Sequence, residues 1–424
     1  MNCGKDFLFI MSEMNDKKKK KKKRKPWRRR RHFVVNALVY PFFRIFCKLR
    51  YGLTVHKHKD KTKREYFVLT NHQTGFDQFF MGMVFFPRNV LYYVASEDLF
   101  STKLVSRLLR FLVAPIPIKK QMTDVSAVMN CIRVAREGGS VAIAPEGNRT
   151  FSGRTGYMNP AIAGLCRTMK LPVAILHIEG GYGVHPRWSD VVRRGKMQVF
   201  VKRVLEVDEI KSMTDEELLS VLKDELYVDE CRVDGLYRHK KRAEYLERAM
   251  YYCPECGLSR FHSEGAEIRC LKCGLTVRYE QTKELSGVGR PFPYRFVGDW
   301  WDAQCEYIKT ADLSGFTDTP MYEEEISFYE VTPYKCKELL AKNAKIALYS
   351  DRYVVKTPTE EHTLSFDDVK VATILGKNKL NVYYKDKLYQ CKGERRFNGV
   401  KYMNVYYRSK FHGKDDDHDE FLGI

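Results

Sequence analysis

Strand-like and helix-like segments alternate along the first half of the chain. Residues 66–70 are a continuous apolar stretch, which predicts a buried strand. Asp124 then caps a predicted helix that stops at Gly138, and residues 141–144 form the next strand. A further helix and a strand at residues 172–176 repeat this order. Such alternation is typical of an α/β fold, in which helices cover a layered sheet.

The pattern changes after residue 280. A predicted amphipathic helix over residues 296–309 carries Trp300 and Trp301. Short strands follow at residues 326–331, 345–349, 353–356, 369–374, 380–384 and 388–391, before a closing helix from Phe397 to about Tyr407. Many strands with a final helix resemble a small PH- or GRAM-like barrel in layout alone. This region is expected to bind lipid headgroups or a protein, or to pack on the preceding domain.

The charge balance points to an anionic partner. The 424 residues include 74 Lys and Arg against 53 Asp and Glu, a net charge of +21. Such an excess attracts a membrane surface, a nucleic acid or a phosphorylated small substrate. Much of it lies in residues 1–32, where a polybasic run from Lys17 to Arg31 predicts a disordered arm. A merely solubilising arm is the simpler alternative.

An apolar segment at residues 33–49 follows the arm, interrupted by Asn36, Pro41, Arg44 and Lys48. An uninterrupted run of about 20 apolar residues, as a transmembrane helix requires, is absent from the sequence. We therefore expect a shallow anchor at an anionic membrane surface, on its cytoplasmic face, with the protein peripheral or monotopic. An ordinary core helix is the alternative. The segment starts too late for a secretory signal.

Four of the twelve cysteines form two CxxC pairs, and their spacing predicts a metal site. Cys253 and Cys256 are followed by Gly257, and Cys270 and Cys273 by Gly274. Each pair places two thiolates at one turn, and four thiolates complete the tetrahedral shell of a structural zinc ion. We expect a zinc ribbon at residues 251–280. Four unligated thiols and a redox pair are the alternatives.

Polar residues with catalytic chemistry follow the first predicted strand. His72 and Asp77 are five positions apart, which separates them by about 140° on a regular helix. They therefore need a turn, and Gly75 lies inside it. A carboxylate that reaches the imidazole fixes its tautomer, which is what a His general base requires. A structural loop histidine is the alternative for this motif alone.

A second polar cluster, Glu146, Gly147 and Arg149, follows the strand at residues 141–144. Loops at the same end of parallel strands lie close together, at the edge where α/β sheets bind ligands. Arg149 can offer its fork of donors to a phosphate, Glu146 can accept from a hydroxyl, and Gly147 lets a ligand approach the backbone. A solvated loop charge is the alternative for Arg149.

Four blocks of sequence support a resemblance to a known family. They are Asn71-His72 through Asp77, residues 115–120, Pro145-Glu146-Gly147-Asn148-Arg149, and residues 171–175. In this order they resemble the NHx4D, second, PEGTR and fourth blocks of the 1-acyl-sn-glycerol-3-phosphate acyltransferases, within the glycerolipid acyltransferase superfamily. The resemblance covers roughly residues 35–205. Lys120 stands where the family usually has Arg, and Asn148 replaces the usual Thr.

The resemblance implies a reaction. His72, oriented by Asp77, would deprotonate the hydroxyl of lysophosphatidic acid, which attacks an acyl thioester of coenzyme A or acyl carrier protein. The acceptor-binding set would be Asn71, Glu146 and Gly147, with Arg149 and Lys120 at the phosphate. The acyl transfer itself would need no metal or redox cofactor. The fold class implied is a glycerolipid acyltransferase-like α/β domain.

Two other functions stay open. The same chemistry could act on glycerol 3-phosphate, another lysophospholipid or an aminolipid. A non-enzymatic nucleic-acid or membrane-binding protein would explain the arm and the ribbon but leaves the two polar loops unexplained, so nucleic acid is not the expected partner. The domains expected are an arm at 1–32, an acyltransferase domain at 33–250, the ribbon at 251–280, and an α+β domain of unassigned role at 281–424.

Overall fold

A seven-stranded sheet forms the centre of the N-terminal domain. The computed structural model describes residues 25–60, 62–96, 103–118, 124–332, 336–411 and 422–423, so most of the expected arm lies outside it. The strands are β1 (Leu53–Val55), β2 (Phe67–Thr70), β3 (Leu91–Ser96), β4 (Ile116–Ile118), β5 (Ser140–Ile143), β6 (Val173–Glu179) and β7 (Met197–Leu205). The helices are α1 (Arg30–Tyr51), α2 (Asp77–Phe85), α3 (Lys103–Leu112), α4 (Val125–Arg136), α5 (Ala161–Met169), α6 (Gly181–Val184), α7 (Val207–Ser212) and α8 (Asp215–Leu226).

The sheet has the order β1-β7-β6-β2-β5-β3-β4. Strands β6, β2, β5, β3 and β4 run parallel, whereas β7 is antiparallel to β6. The expected α/β layers are therefore confirmed. Successive residues of β2 face opposite layers, because Val68 packs with α1 and α2 while Phe67 and Leu69 pack with α4, α5 and α8. Burial on both faces explains the unbroken apolar run of this strand.

Helix α1 covers one face of the domain with only part of its surface. His32, Tyr40, Cys47 and Tyr51 are among its buried residues. Most of its other large apolar side chains are exposed, and Leu49 is 83% accessible. Within the described residues, this helix is the one whose length and composition suffice to cross a membrane, a test that buried helices of soluble proteins and signal sequences also pass. The exposed apolar face does not fit an ordinary core helix.

Small antiparallel sheets follow the N-terminal domain. A two-stranded pair, β8 (Tyr252–Cys253) and β9 (Gly257–Leu258), precedes a four-stranded sheet of β10 (Phe261–Glu264), β11 (Glu267–Cys270), β12 (Thr276–Tyr279) and β13 (Leu285–Val288). Because β13 pairs with β12, this sheet extends to Val288, beyond the expected limit of the ribbon at residue 280.

The C-terminal region is a half-barrel, as its strand-rich pattern predicts. Helix α9 (Val297–Thr310) leads into β14 (Tyr322–Thr332), β15 (Cys336–Leu348), β16 (Arg352–Lys356), β17 (Glu361–Ser365), β18 (Val369–Leu375), β19 (Lys379–Tyr384) and β20 (Lys387–Gly393), and α10 (Gly399–Phe411) closes it. The antiparallel sheet has the order β17-β16-β15-β14-β20-β19-β18. The sequence pattern does not predict strand β17, because its residues, Glu-His-Thr-Leu-Ser, are mostly polar.

One hydrophobic core joins the three regions. It includes Phe151 and Trp188 of the N-terminal domain, Cys270 of the ribbon, and Trp300 and Tyr402 of the C-terminal region. The half-barrel therefore packs on the preceding domains rather than standing apart from them. Short 3₁₀ turns at Leu246–Arg248 and Ser314–Phe316 complete the connections.

Candidate active site and metal centre

The two polar loops meet at the carboxyl edge of the parallel strands. The histidine loop (residues 71–76) follows β2, and the arginine loop (residues 144–156) follows β5. Leu69 and Ile143 are register partners, so both strands end at the same level. The N–H of Thr150 donates to the carbonyl oxygen of His72 over 3.2 Å. The loops therefore form one continuous site.

The imidazole of His72 is held by a carboxylate. Its Nδ1 lies 2.8 Å from Oδ2 of Asp77, which is the first residue of α2 and is 1% exposed. That carboxylate also accepts the N–H groups of Gln73 and Thr74 and the hydroxyl of Thr74, at 2.7–3.0 Å. A carboxylate oxygen can only accept, so Nδ1 carries the proton. The other ring nitrogen, Nε2, is then the atom that can take a proton from a substrate.

Glu146 ties the two loops together. Its Oε1 accepts the N–H of His72 at 2.8 Å, and its Oε2 accepts the N–H of Gly156 at 2.7 Å. Burial raises the pKa of Glu146 to about 8, the two N–H donors oppose the rise, and the charge of Asp77 adds to it. Both oxygens therefore brace the loops, and contact with an acceptor hydroxyl stays a prediction.

Arg149 places a cation beside the His72–Asp77 pair. Among the residues that the structure describes, its guanidinium has no carboxylate within ion-pair distance and no hydrogen-bond acceptor. Burial lowers the pKa of Arg149, while the negative charge of Asp77 raises it. A half-buried cation without a paired carboxylate is suited to an anionic group of a ligand.

Asn71 is buried beneath the site. Its Nδ2 donates to the carbonyl oxygen of Ile178 and its Oδ1 accepts the N–H of Ile178, both at 2.8 Å. This pair of bonds fixes the start of the histidine loop to β6. The geometry gives Asn71 a positioning role, and contact with substrate stays a prediction.

Two further predicted residues have different outcomes. Gly147 has φ +68°, a left-handed conformation that favours glycine, and a Cβ at this position would meet no atom within 4 Å. The backbone there is open to a ligand. Lys120 lies outside the described residues.

Sequence reasoning missed three polar residues at this edge. Both side-chain polar atoms of Gln73 and both ring nitrogens of His185 are buried without a hydrogen-bond partner in the described part of the chain. Burial, with the charges of Lys377 and Arg149, lowers the pKa of His185 to about 4. Arg187 is 3% exposed and contacts the arginine loop. His185 and Arg187 lie far from both motifs in sequence, so no local pattern marks them.

The four predicted metal ligands come together in the ribbon. The Sγ atoms of Cys253, Cys256, Cys270 and Cys273 all lie within 4.8 Å of one another. Gly257 and Gly274, directly after each pair, have φ of +70° and +74°. Four thiolates at this spacing fit a closed tetrahedral shell. The cluster can hold a metal ion, and a shell without an open position suits a structural role.

Comparisons with known proteins give a family match and a similarity to a solved structure. Residues 52–178 match the family described as Acyltransferase. Among solved structures, the chain is similar to the one titled "Crystal Structure of the 1-acyl-sn-glycerophosphate (LPA) acyltransferase, PlsC, from Thermotoga maritima". That similarity has 19% sequence identity and a TM-score of 0.36, and covers 45% of this chain and 78% of that chain. No curated protein matches the chain.

The contacts of Asn71 give a stability prediction. Asn71→Ala leaves the buried N–H and carbonyl of Ile178 without their partners, which should cost about 1–3 kcal/mol of unfolding free energy. Urea unfolding, followed by tryptophan fluorescence, measures this loss. Gln281→Ala, an exposed position, should change the unfolding free energy by less than about 0.5 kcal/mol. Equal stability of the Asn71 variant and the wild type would contradict the positioning role.

Proposed function

Residues 52–178 form a domain of the acyltransferase family, and from this premise we propose that the chain acylates lysophosphatidic acid. The acyl group comes from a thioester, acyl-CoA or acyl carrier protein, and the product is phosphatidic acid, made for phospholipid biosynthesis. The observation that carries the proposal is the position of Arg149 next to the His72–Asp77 pair, where this half-buried cation forms an ion pair with none of the described carboxylates. Phosphate recognition and hydroxyl activation then fall within one site.

In the proposed mechanism His72 is the general base. Its Nε2 takes the proton of the acceptor hydroxyl while that oxygen attacks the thioester carbonyl. The carbon–sulfur bond then breaks, and the proton returns from the imidazole to the departing thiolate. Asp77 stabilises the imidazolium formed between these steps, because its carboxylate already accepts from Nδ1. The products are an ester and a free thiol, and the transfer needs no oxidant or reductant.

Arg149 binds the phosphate of the acceptor in this proposal. Its planar fork matches two phosphate oxygens, and removal from water strengthens the attraction. Lys120 joins it as a second cation. The exposed backbone at Gly147 receives the glycerol part, beside Glu146 and Asn71, which keep the two loops in place.

The proposed location is the cytoplasmic surface of an anionic membrane. The apolar face of α1 lies against the acyl chains, where the exposed side chains of Phe42 and Leu49 lose contact with water. The polybasic arm supplies the electrostatic part, at about 1 kcal/mol for each Lys or Arg near the surface. The chain is peripheral or monotopic there, so that a lipid acceptor enters from the bilayer.

The metal proposed for the four-cysteine cluster is one zinc ion. Zinc prefers four thiolates in tetrahedral geometry and has no redox chemistry, which suits a closed structural site. Cys253 and Cys270 are buried in the core that connects the ribbon with α9. The bound ion therefore stabilises the junction between the N-terminal domain and the half-barrel, and takes no part in acyl transfer.

Activity depends on the His72–Asp77 pair in this account. With oleoyl-CoA and lysophosphatidic acid, His72→Ala and Asp77→Asn should each lower kcat by about 10²- to 10⁴-fold, because the general base is removed or loses its orientation. Released thiol and labelled phosphatidic acid measure the rate. His56→Ala, an exposed histidine, is the matched control. If the acceptor is a different one, a panel with glycerol 3-phosphate, other lysophospholipids and an aminolipid identifies it. Full activity of His72→Ala would refute the mechanism.

The role of Arg149 predicts an effect on KM. Arg149→Ala should raise KM for lysophosphatidic acid about 10- to 100-fold, the worth of a charge-assisted hydrogen bond. Arg149→Lys keeps the charge but loses the fork, so its KM should lie between those of the wild type and Arg149→Ala. The exposed Arg194→Ala should leave KM unchanged. An unchanged KM in Arg149→Ala would place the phosphate elsewhere.

Metal content tests the ribbon. Elemental analysis of the purified full chain should find one zinc ion per chain, and Cys270→Ser should lose it and lower Tm. Cys305→Ser changes a cysteine outside the cluster and should retain the metal. Metal-free wild-type protein with an unchanged Tm would contradict a structural zinc site.

A further inference from the structure

Arg187 is a buried cation that contacts three backbone carbonyls. It is 3% exposed and, among the described residues, has no carboxylate within ion-pair distance. Its Nη1 donates to the carbonyl oxygen of Arg149 at 2.7 Å, its Nη2 to that of Ile374 at 2.9 Å, and its Nε to that of Gly376 at 3.2 Å. Desolvation makes such burial unfavourable unless the donors find acceptors, and here Nε, Nη1 and Nη2 each donate to a carbonyl oxygen.

The three acceptors belong to two different regions. Arg149 lies in the arginine loop, whereas Ile374 and Gly376 lie at the end of β18 in the half-barrel. The guanidinium also stacks over the ring of Phe151, with 4.2 Å from its Cζ to the ring centroid. Arg187 thus connects the residue proposed to bind phosphate with the edge of the C-terminal sheet.

Helix α9 contacts the same loop from another side. The rings of Trp301 and Phe151 are stacked, with centroids 6.2 Å apart and planes 4° from parallel. Arg154 forms ion pairs with Asp299, at 2.5 Å, and with Asp302. The arginine loop is therefore held at Arg149, Phe151 and Arg154 by residues beyond the matched acyltransferase region.

We propose that Arg187 is a positioning residue for the acceptor phosphate, through which the half-barrel fixes the backbone of Arg149. This inference rests on the proposed function of Arg149. The family domain at residues 52–178 ends before Arg187, α9 and β18. The C-terminal region, whose role the sequence leaves unassigned, is then a part of the acyltransferase site that sets acceptor affinity.

A purely structural contact has different consequences from a positioning one. Loss of a contact that only joins two domains lowers Tm, or lowers the amount of active protein, without selecting one substrate. Loss of a contact that places Arg149 weakens the binding of the phosphorylated acceptor and leaves the thioester donor unaffected. The KM for the acceptor and the KM for the thioester donor, measured in the same variant, therefore distinguish the two roles.

The test measures acyl transfer from oleoyl-CoA to lysophosphatidic acid, or to the phosphorylated acceptor that wild type uses. Arg187→Met should raise KM for the acceptor about tenfold, with kcat within about threefold and KM for oleoyl-CoA unchanged. Arg187→Lys reaches fewer carbonyls and should restore part of the loss. Arg395→Met is the matched control, because Arg395 pairs with Asp190 at the same interface but is exposed.

A double-mutant cycle with Arg149→Ala tests whether Arg187 acts through Arg149. Without the Arg149 side chain, Arg187→Met should change KM for the acceptor no further, whereas independent effects would multiply. Multiplying effects would overturn the inference. Thermal unfolding of each variant verifies that it is folded.

Other outcomes are equally decisive. A folded Arg187→Met protein with wild-type KM for the acceptor would overturn the positioning role, as would a fall in Tm and kcat alone. If Arg187→Met does not fold, Trp301→Leu, which removes the stack on Phe151, should raise the same KM, and an unchanged value would overturn the inference. Wild-type protein that acylates no acceptor would refute the proposed function, and this inference with it.

Discussion

The carboxylate of Glu146 is the contact on which the rest of the site depends. By accepting the N–H groups of His72 and Gly156, it joins the loop after β2 to both ends of the loop after β5. Parallel pairing of β2 and β5 brings the loops to the same edge, and this bridge, together with the bond from the Thr150 N–H to the His72 carbonyl oxygen, sets their spacing. Burial raises the pKa of Glu146 to about 8, so the two N–H donors offset only part of the cost of charging this side chain. The imidazole and the guanidinium then face one region.

Much of this arrangement follows from the sequence for a physical reason. Apolar runs predict β2, β5 and β6 because strands buried on both faces need them, and two short motifs then place His72, Asp77 and Arg149 at one edge. The CxxC spacing likewise brings four thiols together. The use of side chains within the site was not predictable, since Asn71 bonds to Ile178, which is distant in sequence. The contacts of Arg187 were not predictable for the same reason, because packing between domains brings its three acceptors together.

Only part of the C-terminal region can be predicted from the local sequence pattern. Its strands and closing helix are present as expected, whereas the polar edge strand β17 is not visible in the hydrophobic pattern. The packing of this region against the N-terminal domain is seen only in the structure, where one core includes both Phe151 and Tyr402. The four cysteines of the ribbon pack in or against that core. Both polar loops fall within residues 52–178, the part of the chain that matches the Acyltransferase family.

The central claim is that one site joins a general base with a phosphate-binding cation. The most direct measurement compares kcat/KM for lysophosphatidic acid with that for monoacylglycerol of the same acyl chain, which differs only in lacking the phosphate. The account predicts a value about 10- to 100-fold higher for the phosphorylated acceptor, from the charge-assisted contact with Arg149. Equal values for the two acceptors would contradict it.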